Sequence, residues 1–538
     1  MKTINNTIKV IAMAAALVVV GCNKKIELDP ITSNVESTFY QTPQDCFQAL
    51  TAAYGVLLWD APQSNANIYA PGTPNASYQN APFNLISEVL GDHCFAGGAS
   101  ATDVPGVIRI DRGVIRTDDP TPAALWYKYY TGINRCNLLL EKMPAVKFSD
   151  TALKNRYAAE CKFLRAYYYF DLVRLFGNVP LIVHTLAPSE YQQKQSSPEA
   201  VYTQIAKDLT DAMTVLPRYK NVVSTELGRA TSDAARALLM RAWLYYTGYY
   251  QKSEIPGVTA PQIIAIADDL INNSGHDLLT NFSDVFQSLT PTASFVNNHK
   301  ESVFEIQYSS LAFGGSYSYR ELANGNLAAM IWSARVTNTA VYAAGWSFAP
   351  IDSAFYNQFD NTDKRKAATF FVPKNLSVSY TAGYQDMGIF PNKWIALTAN
   401  NSTKGDPKLN YPNHFIAIRF SDVLLMAAEL HLMNGGSAAM AQVYYDRVAK
   451  RARPAGYATP AVTLDVIYKE RDLELALEGV RYWDLLRRGL DYAKTRINVN
   501  RGEPLISNFN YAAKGLFPIP GSELINTNNS LVQNPGYQ

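Results

Sequence analysis

One segment of the chain restricts the fold more than any other, because residues 155–176 carry the pattern of a long helix. Large side chains recur there at the spacing of one helix face: Phe163, Tyr167, Phe170 and Val173. The pattern stops at Gly177, a residue type that commonly follows a helix, and Pro180 prevents its continuation. The sequence therefore predicts a helix that ends just before Gly177.

Helical patterns also cover much of the remaining chain. They fit residues 44–59, 122–142, 198–216, 232–250, 261–272, 416–433, 438–451 and 463–488. Two other stretches, 61–116 and 281–412, contain clusters of Pro, Gly, Asn and Ser that are typical of loops and short extended pieces. These observations predict a mostly α fold with two loop-rich stretches.

Three of the predicted helices share a local sequence. Residues 163–166 read FLRA, residues 239–242 read LMRA, and residues 425–428 read LMAA. A small Ala between large side chains lets a neighbouring helix approach closely, as it does in tetratricopeptide helix pairs. The three copies follow no regular period, so an ordinary helical bundle is the alternative to an array of degenerate repeats.

The N-terminus carries the pattern of an export signal. Residues 1–9 hold two lysines and no acid, residues 10–20 are apolar throughout, and Gly21-Cys22 follows. The apolar run is too short to span a bilayer as a mature helix, so residues 1–21 are predicted to be a signal peptide. The ending resembles a bacterial lipobox, which predicts lipidation at Cys22 and anchoring in membrane lipid. The alternative is a plain signal peptide with an incidental cysteine.

Composition narrows the range of partners. The formal net charge is +2, and no long basic block occurs, which argues against nucleic acid as a partner. The 34 tyrosines outnumber the 23 phenylalanines. Because tyrosine buries a ring while it offers a hydroxyl, this excess suits surfaces that contact polar organic ligands.

The sequence contains none of the common motifs for nucleotide, metal or acyl-transfer chemistry. G-x-x-x-x-G-K-[ST], H-E-x-x-H and G-x-S-x-G are all absent, and no two cysteines form a C-x-x-C pair. Neither a cofactor nor a metal site is expected, and His431 is interpreted as a structural histidine. Cys136 and Cys161 lie in helical patterns and are predicted to be buried thiols. Pairing of Cys46 with Cys94 remains open.

Three glutamates form the only constellation that suggests catalysis. Glu470, Glu474 and Glu478 are spaced by four residues in a predicted helix, so neighbouring carboxylates have a glycosidase-like separation. Glycosidase carboxylates flank a sugar from opposite sides, which groups on one helix face do poorly. Structural ion pairing is favoured, with four arginines close by in sequence: Arg471, Arg481, Arg487 and Arg488.

Aromatic residues in the irregular stretches are better candidates for a ligand surface. A sugar ring stacks its C–H face on an aromatic ring, while its hydroxyls need polar partners. The candidates are Trp59, Tyr69, Tyr78, His93, Phe95, Tyr317, Tyr319, Trp332, Tyr342, Trp346, Tyr384 and Trp394. For any single one of them ordinary packing is the more frequent role. As a group on loops, they favour a ligand surface.

Several segments together resemble the SusD/RagB family. Residues 160–180 (ECKFLRAYYYFDLVRLFGNVP) carry its most recognisable motif, and GRA at 228–230 follows before a helix. RFSDVLLMAAE at 419–429 and ERDLELALEGVRYWD at 470–484 occur in the same order. FPIP at 517–520, Glu523 and QNPGY at 533–537 complete the set, and LDP at 28–30 follows the lipobox. The resemblance thus runs from the anchor to the C-terminus.

The resemblance implies a scaffold of tetratricopeptide-like helix pairs that carries a loop-rich irregular lobe. We expect an N-terminal helical region at 22–280 with ligand-facing loops at about 60–116, a loop-rich ligand-facing insertion at 281–412, and a C-terminal helical region with a tail at 413–538. It also implies a lipoprotein on the outer face of the outer membrane. There it would act as the lid of a SusC-like TonB-dependent barrel and bind a glycan without changing it covalently.

The resemblance places the candidate ligand residues by position only. Residues 91–100 offer His93 and Phe95 where starch-binding members carry a tryptophan, which puts a starch-like platform in doubt. The stretch after residues 305–308 offers Tyr317, Tyr319, Trp332 and Trp346. Three alternatives remain: the same lid role for a peptide or other nutrient, a surface glycoside hydrolase, and a structural protein with peptide-binding grooves. The resemblance assigns Glu470, Glu474 and Glu478 to the fold and to partner contact.

Overall fold

The computed structural model describes residues 39–59, 83–286, 296–309, 325–400 and 411–537. Within these ranges the protein is mostly helical. The first eight helices, in chain order, are α1 (Pro43–Gly55), α2 (Phe83–Val89), α3 (Pro105–Asp111), α4 (Pro120–Lys142), α5 (Thr151–Phe176), α6 (Pro198–Val215), α7 (Ser232–Tyr250) and α8 (Ala260–Asn273).

The middle of the chain contains short elements between long connections. They are β1 (Ser302–Ile306), α9 (Ala328–Trp332), α10 (Ser353–Tyr356), α11 (Arg365–Thr369), β2 (Phe370–Phe371), β3 (Phe390–Pro391) and β4 (Phe415–Arg419). The C-terminal part comprises α12 (Phe420–Met433), α13 (Ala438–Ala452), α14 (Leu464–Glu474), α15 (Arg481–Arg487), α16 (Leu490–Ile497), β5 (Val499–Asn500), β6 (Ile506–Ser507) and α17 (Gly521–Asn526).

The scaffold is a series of packed helix pairs, which confirms the predicted fold class. Helices α4, α5, α6 and α7 pack each on the next, and α12 packs on α13. The small residues of the repeated local sequence, Ala166, Ala242 and Ala428, are fully buried in these contacts. Asp150 begins the longest helix by accepting hydrogen bonds from the backbone N–H groups of Ala152 and Leu153. This capped turn extends α5 beyond its predicted start.

Two predicted helices need correction. The pattern at 416–433 begins with strand β4, which pairs antiparallel with β1 and places Ile418 opposite Phe304. The pattern at 463–488 is divided into α14 and α15. The backbone turns between them with φ of 64° at Leu477 and 77° at Gly479, values that end an α-helix. Glu478 therefore does not lie on the helix that carries Glu470 and Glu474.

The two stretches predicted as loop-rich differ in character. Residues 83–116 contain the short helices α2 and α3, so this part of the first stretch is more regular than its sequence predicts. The described residues of the second stretch are mostly irregular and include a small separate core of apolar side chains: Ala334, Val336, Phe371, Phe390, Ile395 and Leu397. Other apolar side chains of the stretch, such as Trp332 and Phe355, belong to the main core, so the irregular lobe is held both by a small core of its own and by the scaffold.

C-terminal residues contact segments that are distant in sequence. Asn534 Nδ2 donates hydrogen bonds to the carbonyl oxygens of Phe176 (2.9 Å) and Phe517 (2.7 Å). Glu88, on α2, accepts a hydrogen bond from the backbone N–H of Gly479 at 2.8 Å. The C-terminal tail therefore closes over the end of α5.

The described cysteines are Cys46, Cys94, Cys136 and Cys161, and all four are buried and free. The prediction of buried thiols at Cys136 and Cys161 is confirmed, and Cys46 does not pair with Cys94. In the part of the chain that the structure covers, no helix has the length and apolarity needed to cross a membrane.

Candidate functional site

The two stretches expected to face a ligand lie side by side. The backbone N–H groups of Phe95, Gly97 and Gly98 donate to the carbonyl oxygens of Pro350 (2.9 Å), Phe348 (3.0 Å) and Ser347 (2.8 Å). A third loop joins them, because the N–H of Tyr384 donates to Gly98 O at 2.8 Å. We call the surface formed by residues 94–104, 333–348 and 379–386 the loop face.

Gly97 is what allows the first two loops to approach. A Cβ atom at this position would overlap the carbonyl oxygen of Ser347 and would lie 2.5 Å from Pro350 Cδ. Only glycine leaves room for backbone at this distance. The pair Gly97-Gly98 was a readable signal of close backbone approach, and sequence reasoning did not use it.

A buried carboxylate holds the loop face from below. Asp111, at the end of α3, accepts hydrogen bonds from Ala96 N (2.8 Å), Gln385 Nε2 (3.1 Å) and the Ser507 hydroxyl. Burial raises the pKa of Asp111 to about 6, although these hydrogen bonds act in the opposite direction. One side chain thus joins two loops of the face to strand β6.

The predicted ligand residues fall into three groups. His93, Phe95 and Trp332 lie in the interior, with 1%, 2% and 0% of their surface exposed. Trp346 is partly buried on the loop face, where its ring lies edge-on to Phe348 with centroids 6.4 Å apart. Four aromatic candidates lie outside the described residues, namely Tyr69, Tyr78, Tyr317 and Tyr319, and so does the lipidation candidate Cys22.

The other aromatic candidates divide in the same way. Tyr342 and Tyr384 are partly exposed in the irregular lobe, whereas Trp59 and Trp394 are buried. Trp394 Nε1 donates to the carbonyl oxygen of Leu477 at 2.7 Å, which fixes it as a core residue. Among the described candidates, Tyr342, Trp346 and Tyr384 are therefore the ones with partly exposed rings on the loop face.

His93 serves the interior of the protein. Its ring stacks on Phe355 at 3.7 Å, with Nδ1 3.0 Å from Glu88 Oε2 and Nε2 2.7 Å from Asp472 Oδ1. Burial alone would lower the pKa of His93, but the hydrogen bonds to Asp472 and Glu88 outweigh it and raise the pKa. The side chain binds the start of the first ligand-facing stretch to α14.

Asp92, His93 and Asp472 stand close enough together to ligate a metal ion, with ligand atoms within 4.8 Å of one another. Two arginines already neutralise these carboxylates. Arg481 lies 2.5 Å from Asp92 and 3.1 Å from Asp472, and Arg496 lies 2.6 Å from Asp92. The cluster is charge-balanced as an ion-pair network, and a divalent cation would meet guanidinium groups there.

The three glutamates belong to a buried network of ion pairs, as the structural interpretation predicts. Glu474 contacts Arg365 (3.1 Å), Arg419 (3.0 Å) and Arg451. Burial would raise the pKa of Glu474, but these guanidinium groups hold it well below its usual range. The carboxylate is fully buried, with 0% of its surface exposed.

The arginines that neutralise the glutamates are not those predicted from proximity in sequence. Arg471 and Arg487 instead bind Asp484, and Arg481 binds Asp92. The true partners come from distant segments: Arg365, Lys393, Arg419, Arg451 and Arg453. His431 is structural as predicted, with Nε2 3.0 Å from Asp268 Oδ1.

Comparison with known proteins agrees with this architecture. The family model described as "SusD family" matches residues 300–537, and the model described as "Starch-binding associating with outer membrane" matches residues 106–244. SusD-like protein P2 of Formosa agariphila is 26% identical over an alignment of 558 residues with its gaps. The alignment covers 98% of this chain and 99% of that protein.

Two solved structures have the same fold over their whole length. A laminarin binding SusD-like protein is 31% identical, with a TM-score of 0.76, and 93% of this chain covers 100% of it. Surface glycan-binding protein A from Bacteroides thetaiotaomicron in complex with laminarihexaose is 26% identical, with a TM-score of 0.78, and 92% of this chain covers 100% of it.

The helix-pair scaffold with its loop face defines a SusD-like helical protein. The chain belongs to the SusD family.

Proposed function

We propose that the protein binds a glycan at the cell surface through its loop face. The observation that carries this proposal is the position of Trp346, a partly buried indole where the loops at 94–104 and 333–348 meet. The hydrogen-bonded backbone beneath it holds the ring in place before a ligand arrives. A fixed ring loses little conformational freedom on binding, which favours stacking against a sugar.

The loops of the loop face also carry polar groups. Asp103 is exposed, and its Oδ2 accepts from Ala99 N at 2.8 Å, so one carboxylate oxygen keeps acceptor capacity for a hydroxyl. The partly exposed Tyr384 offers a second ring and a hydroxyl. Together with Trp346 they give the mixture of flat apolar surface and hydrogen-bonding groups that a sugar requires.

The first ligand to test is a β-glucan of the laminarin type. Two of the similar structures described above carry laminarin or laminarihexaose in their names, and both cover the whole fold. Tyr317 and Tyr319, which lie outside the described residues, are proposed as further ligand contacts.

The proposed cellular role is that of a lid. Lipidation at Cys22 would anchor the protein to the outer membrane, facing outward, where it would cover a SusC-like TonB-dependent barrel and release the glycan into it. The resemblance of the N-terminus to a lipobox and the description "associating with outer membrane" support this proposal. Globomycin treatment, which blocks lipoprotein signal cleavage, should leave a larger precursor, and a Cys22→Ala variant should lose membrane attachment.

Isothermal titration against a panel of polysaccharides and peptides tests the binding proposal. Laminarin should bind the wild type, and Trp346→Ala should weaken binding by about 1–3 kcal/mol, with the stacking of a nucleobase on an aromatic ring as the guide to the magnitude. Tyr457→Ala, which removes an exposed ring outside the loop face, is the matched control and should bind like the wild type. Binding of peptides and of no glycan would overturn the glycan assignment in favour of another nutrient.

No covalent change to the ligand is proposed. The alternative of a glycoside hydrolase requires carboxylates that flank the substrate, and the buried, paired Glu474 does not supply one. Incubation of purified protein with laminarin should release no reducing ends. Turnover that disappears in a Glu474→Gln variant would contradict a binding-only function.

A further inference from the structure

A second concave surface lies outside the loop face. A cleft of about 740 Å³ is bounded by α4, the extended segment 180–193 and the C-terminal region from α17 to Leu531. None of its lining residues belongs to the loop face. Its volume falls within the range of sites that bind small organic ligands. We call it the α4 cleft.

Hydrogen bonds fix the walls of the α4 cleft in advance. Asn137 Nδ2 on α4 donates to the carbonyl oxygens of Ile182 (3.1 Å) and His184 (3.2 Å). Tyr130 donates to Pro180 O at 2.9 Å, so α4 holds the extended segment at several points. On the opposite wall, Ser530 Oγ donates to Gln193 O at 2.9 Å. A ligand would therefore enter a formed site and would not have to order its walls.

Aromatic rings form much of the floor and one rim. Trp126, Tyr127 and Tyr130 lie within two turns of α4, and Tyr191 lines the cleft from the segment 180–193. Tyr191 is 61% exposed, so its ring is open to solvent at the rim of the cleft. Trp126 packs on Tyr130 with ring centroids 5.0 Å apart, and Tyr127 stacks on Trp59, so the exposed ring of Tyr191 is the stacking surface offered to a cyclic ligand.

The polar groups of the α4 cleft match an uncharged ligand rich in hydroxyls. Asn134, Gln193 and Thr527 contribute amide and hydroxyl groups. Glu523 is the single acid among the described lining residues, and none of those residues is Lys, Arg or His. An anionic ligand would find no cation here, whereas a carboxylate and amides accept and donate hydrogen bonds to sugar hydroxyls.

We propose that the α4 cleft is a second binding site of this protein, for a neutral oligosaccharide. Tyr191 stacks on one sugar ring from the rim, and Asn134 and Glu523 bind hydroxyl groups of the same chain. The site is separate from the loop face and does not depend on the function assigned there. A protein with two such sites holds a long glycan at two points, which strengthens attachment without any new contact at either site.

A protein partner is the competing occupant. Ile525 and Val532, near the cleft, are 74% and 70% exposed, and apolar side chains of this kind also occur at protein interfaces. Two isolated side chains fall well short of the area that a stable protein interface buries. The polar lining of the cleft favours a saccharide, and the experiment below includes the protein partner as an outcome.

Hydrogen exchange of the full-length protein with and without ligand tests the proposal. The probes are laminari-, cello-, malto-, xylo- and mannohexaose at millimolar concentration. At least one should protect the amides of residues 180–193 and 523–531. A Tyr191→Ala/Asn134→Ala double variant, which removes two side chains outside the hydrogen bonds that hold the walls, should abolish this protection. Tyr511→Ala, which removes another exposed tyrosine, is the control and should keep it.

The outcomes separate this site from the loop face. Trp346→Ala should remove protection of residues 94–104 and leave that of 180–193, whereas the double variant should do the reverse. Absence of protection at 180–193 with every hexasaccharide would overturn the second site, whatever happens at the loop face. The same holds if the double variant leaves saccharide protection unchanged but reduces co-purification with an outer-membrane barrel, because the cleft is then a protein-docking surface.

Discussion

The Arg419 guanidinium donates two hydrogen bonds to the Glu478 carboxylate, at 2.6 Å and 2.9 Å, and both side chains are buried. Arg419 ends strand β4, and Glu478 lies in the turn between α14 and α15. This pair fixes strand β4 to the turn between α14 and α15. Its position at the centre of the ion-pair network leads to the first prediction.

Replacing Arg419 with Met should destabilise the protein by about 3–5 kcal/mol, because buried carboxylates then lose their compensating charge. The carboxylates concerned are Glu301, Glu474 and Glu478. Urea unfolding measures the change. The control is Arg116→Ala, which removes an exposed pair with Asp118 and should change stability by at most about 1 kcal/mol. Equal effects of the two variants would show that burial of the network contributes nothing.

The same network predicts sensitivity to acid. Guanidinium groups lower the pKa of Glu474 and of Asp484 below their unfolded values, although burial acts against them. A carboxyl with a lowered folded pKa contributes stability above its unfolded pKa, and this stability is lost as the pH falls. The free energy of unfolding should therefore decrease as the pH falls below about 4, where unfolded carboxylates take up protons.

Thermal unfolding at a series of pH values checks this prediction. Because the pairs are buried, added salt should shift the acid transition little. A protein whose unfolding free energy stays constant through the acid range, or whose transition moves strongly with salt, would show that exposed pairs dominate.

Asp111 should show the opposite pH dependence. Its pKa is raised to about 6 in the folded protein, so the folded state takes up a proton more readily than the unfolded chain does. The protonated Asp111 contributes its full stabilisation below the pKa that the side chain has in the unfolded chain. This stabilisation is lost as the pH rises through the pKa of Asp111 in the folded protein. Relative to Asp111→Asn, the wild type should lose up to roughly 3 kcal/mol between about pH 4 and pH 6. If the difference in unfolding free energy between the wild type and Asp111→Asn does not change with pH, the raised pKa of Asp111 is refuted.

The approach of the two loops at Gly97 gives a fourth prediction. Gly97→Ala places a methyl group against Ser347 O and should destabilise the protein by about 1–3 kcal/mol, as overpacking does. Laminarin binding should also weaken, since the loops must separate beneath Trp346. Gly55→Ala is the matched control, because a Cβ there meets no atom within 4 Å and the backbone is helical. The proposal for the loop face fails if Gly97→Ala leaves both stability and binding unchanged.

Local pattern determined much of the helical scaffold. The span of α7 agrees with its prediction, because Thr231 caps its first turn and its side chains keep a helical period. The break at Leu477 was not readable in the same way, since leucine gives no turn signal and its positive φ is imposed by the surrounding structure. Its neighbour Gly479 was the only local indication of the turn.

The candidate site was predictable only in part. Two tryptophans of the same irregular stretch, Trp332 and Trp346, have opposite environments, and only the tertiary packing decides which one is buried. The His93 ring is hydrogen-bonded to Asp472, which lies 379 residues away in sequence. Separations of this size lie beyond any pattern of neighbours, so sequence could place these residues on loops but could not distinguish core from surface.

The long-range hydrogen bonds of Glu88 and Asn534 also constrain the order in which the protein can fold. The hydrogen bond from Gly479 N–H to Glu88 joins residues that are 391 positions apart in sequence. The hydrogen bond from Asn534 to the Phe176 carbonyl oxygen joins residues that are 358 positions apart. A chain that is still being synthesised or exported lacks Gly479 and Asn534. The Glu88 carboxylate and the Phe176 carbonyl oxygen then have no hydrogen-bond donor from the C-terminal part of the chain. Closure of such long loops is slow compared with local helix formation. The molecule should therefore reach its final state only after its last residues have emerged, and removal of residues 534–538, which takes away Asn534, should leave the end of α5 open to proteases.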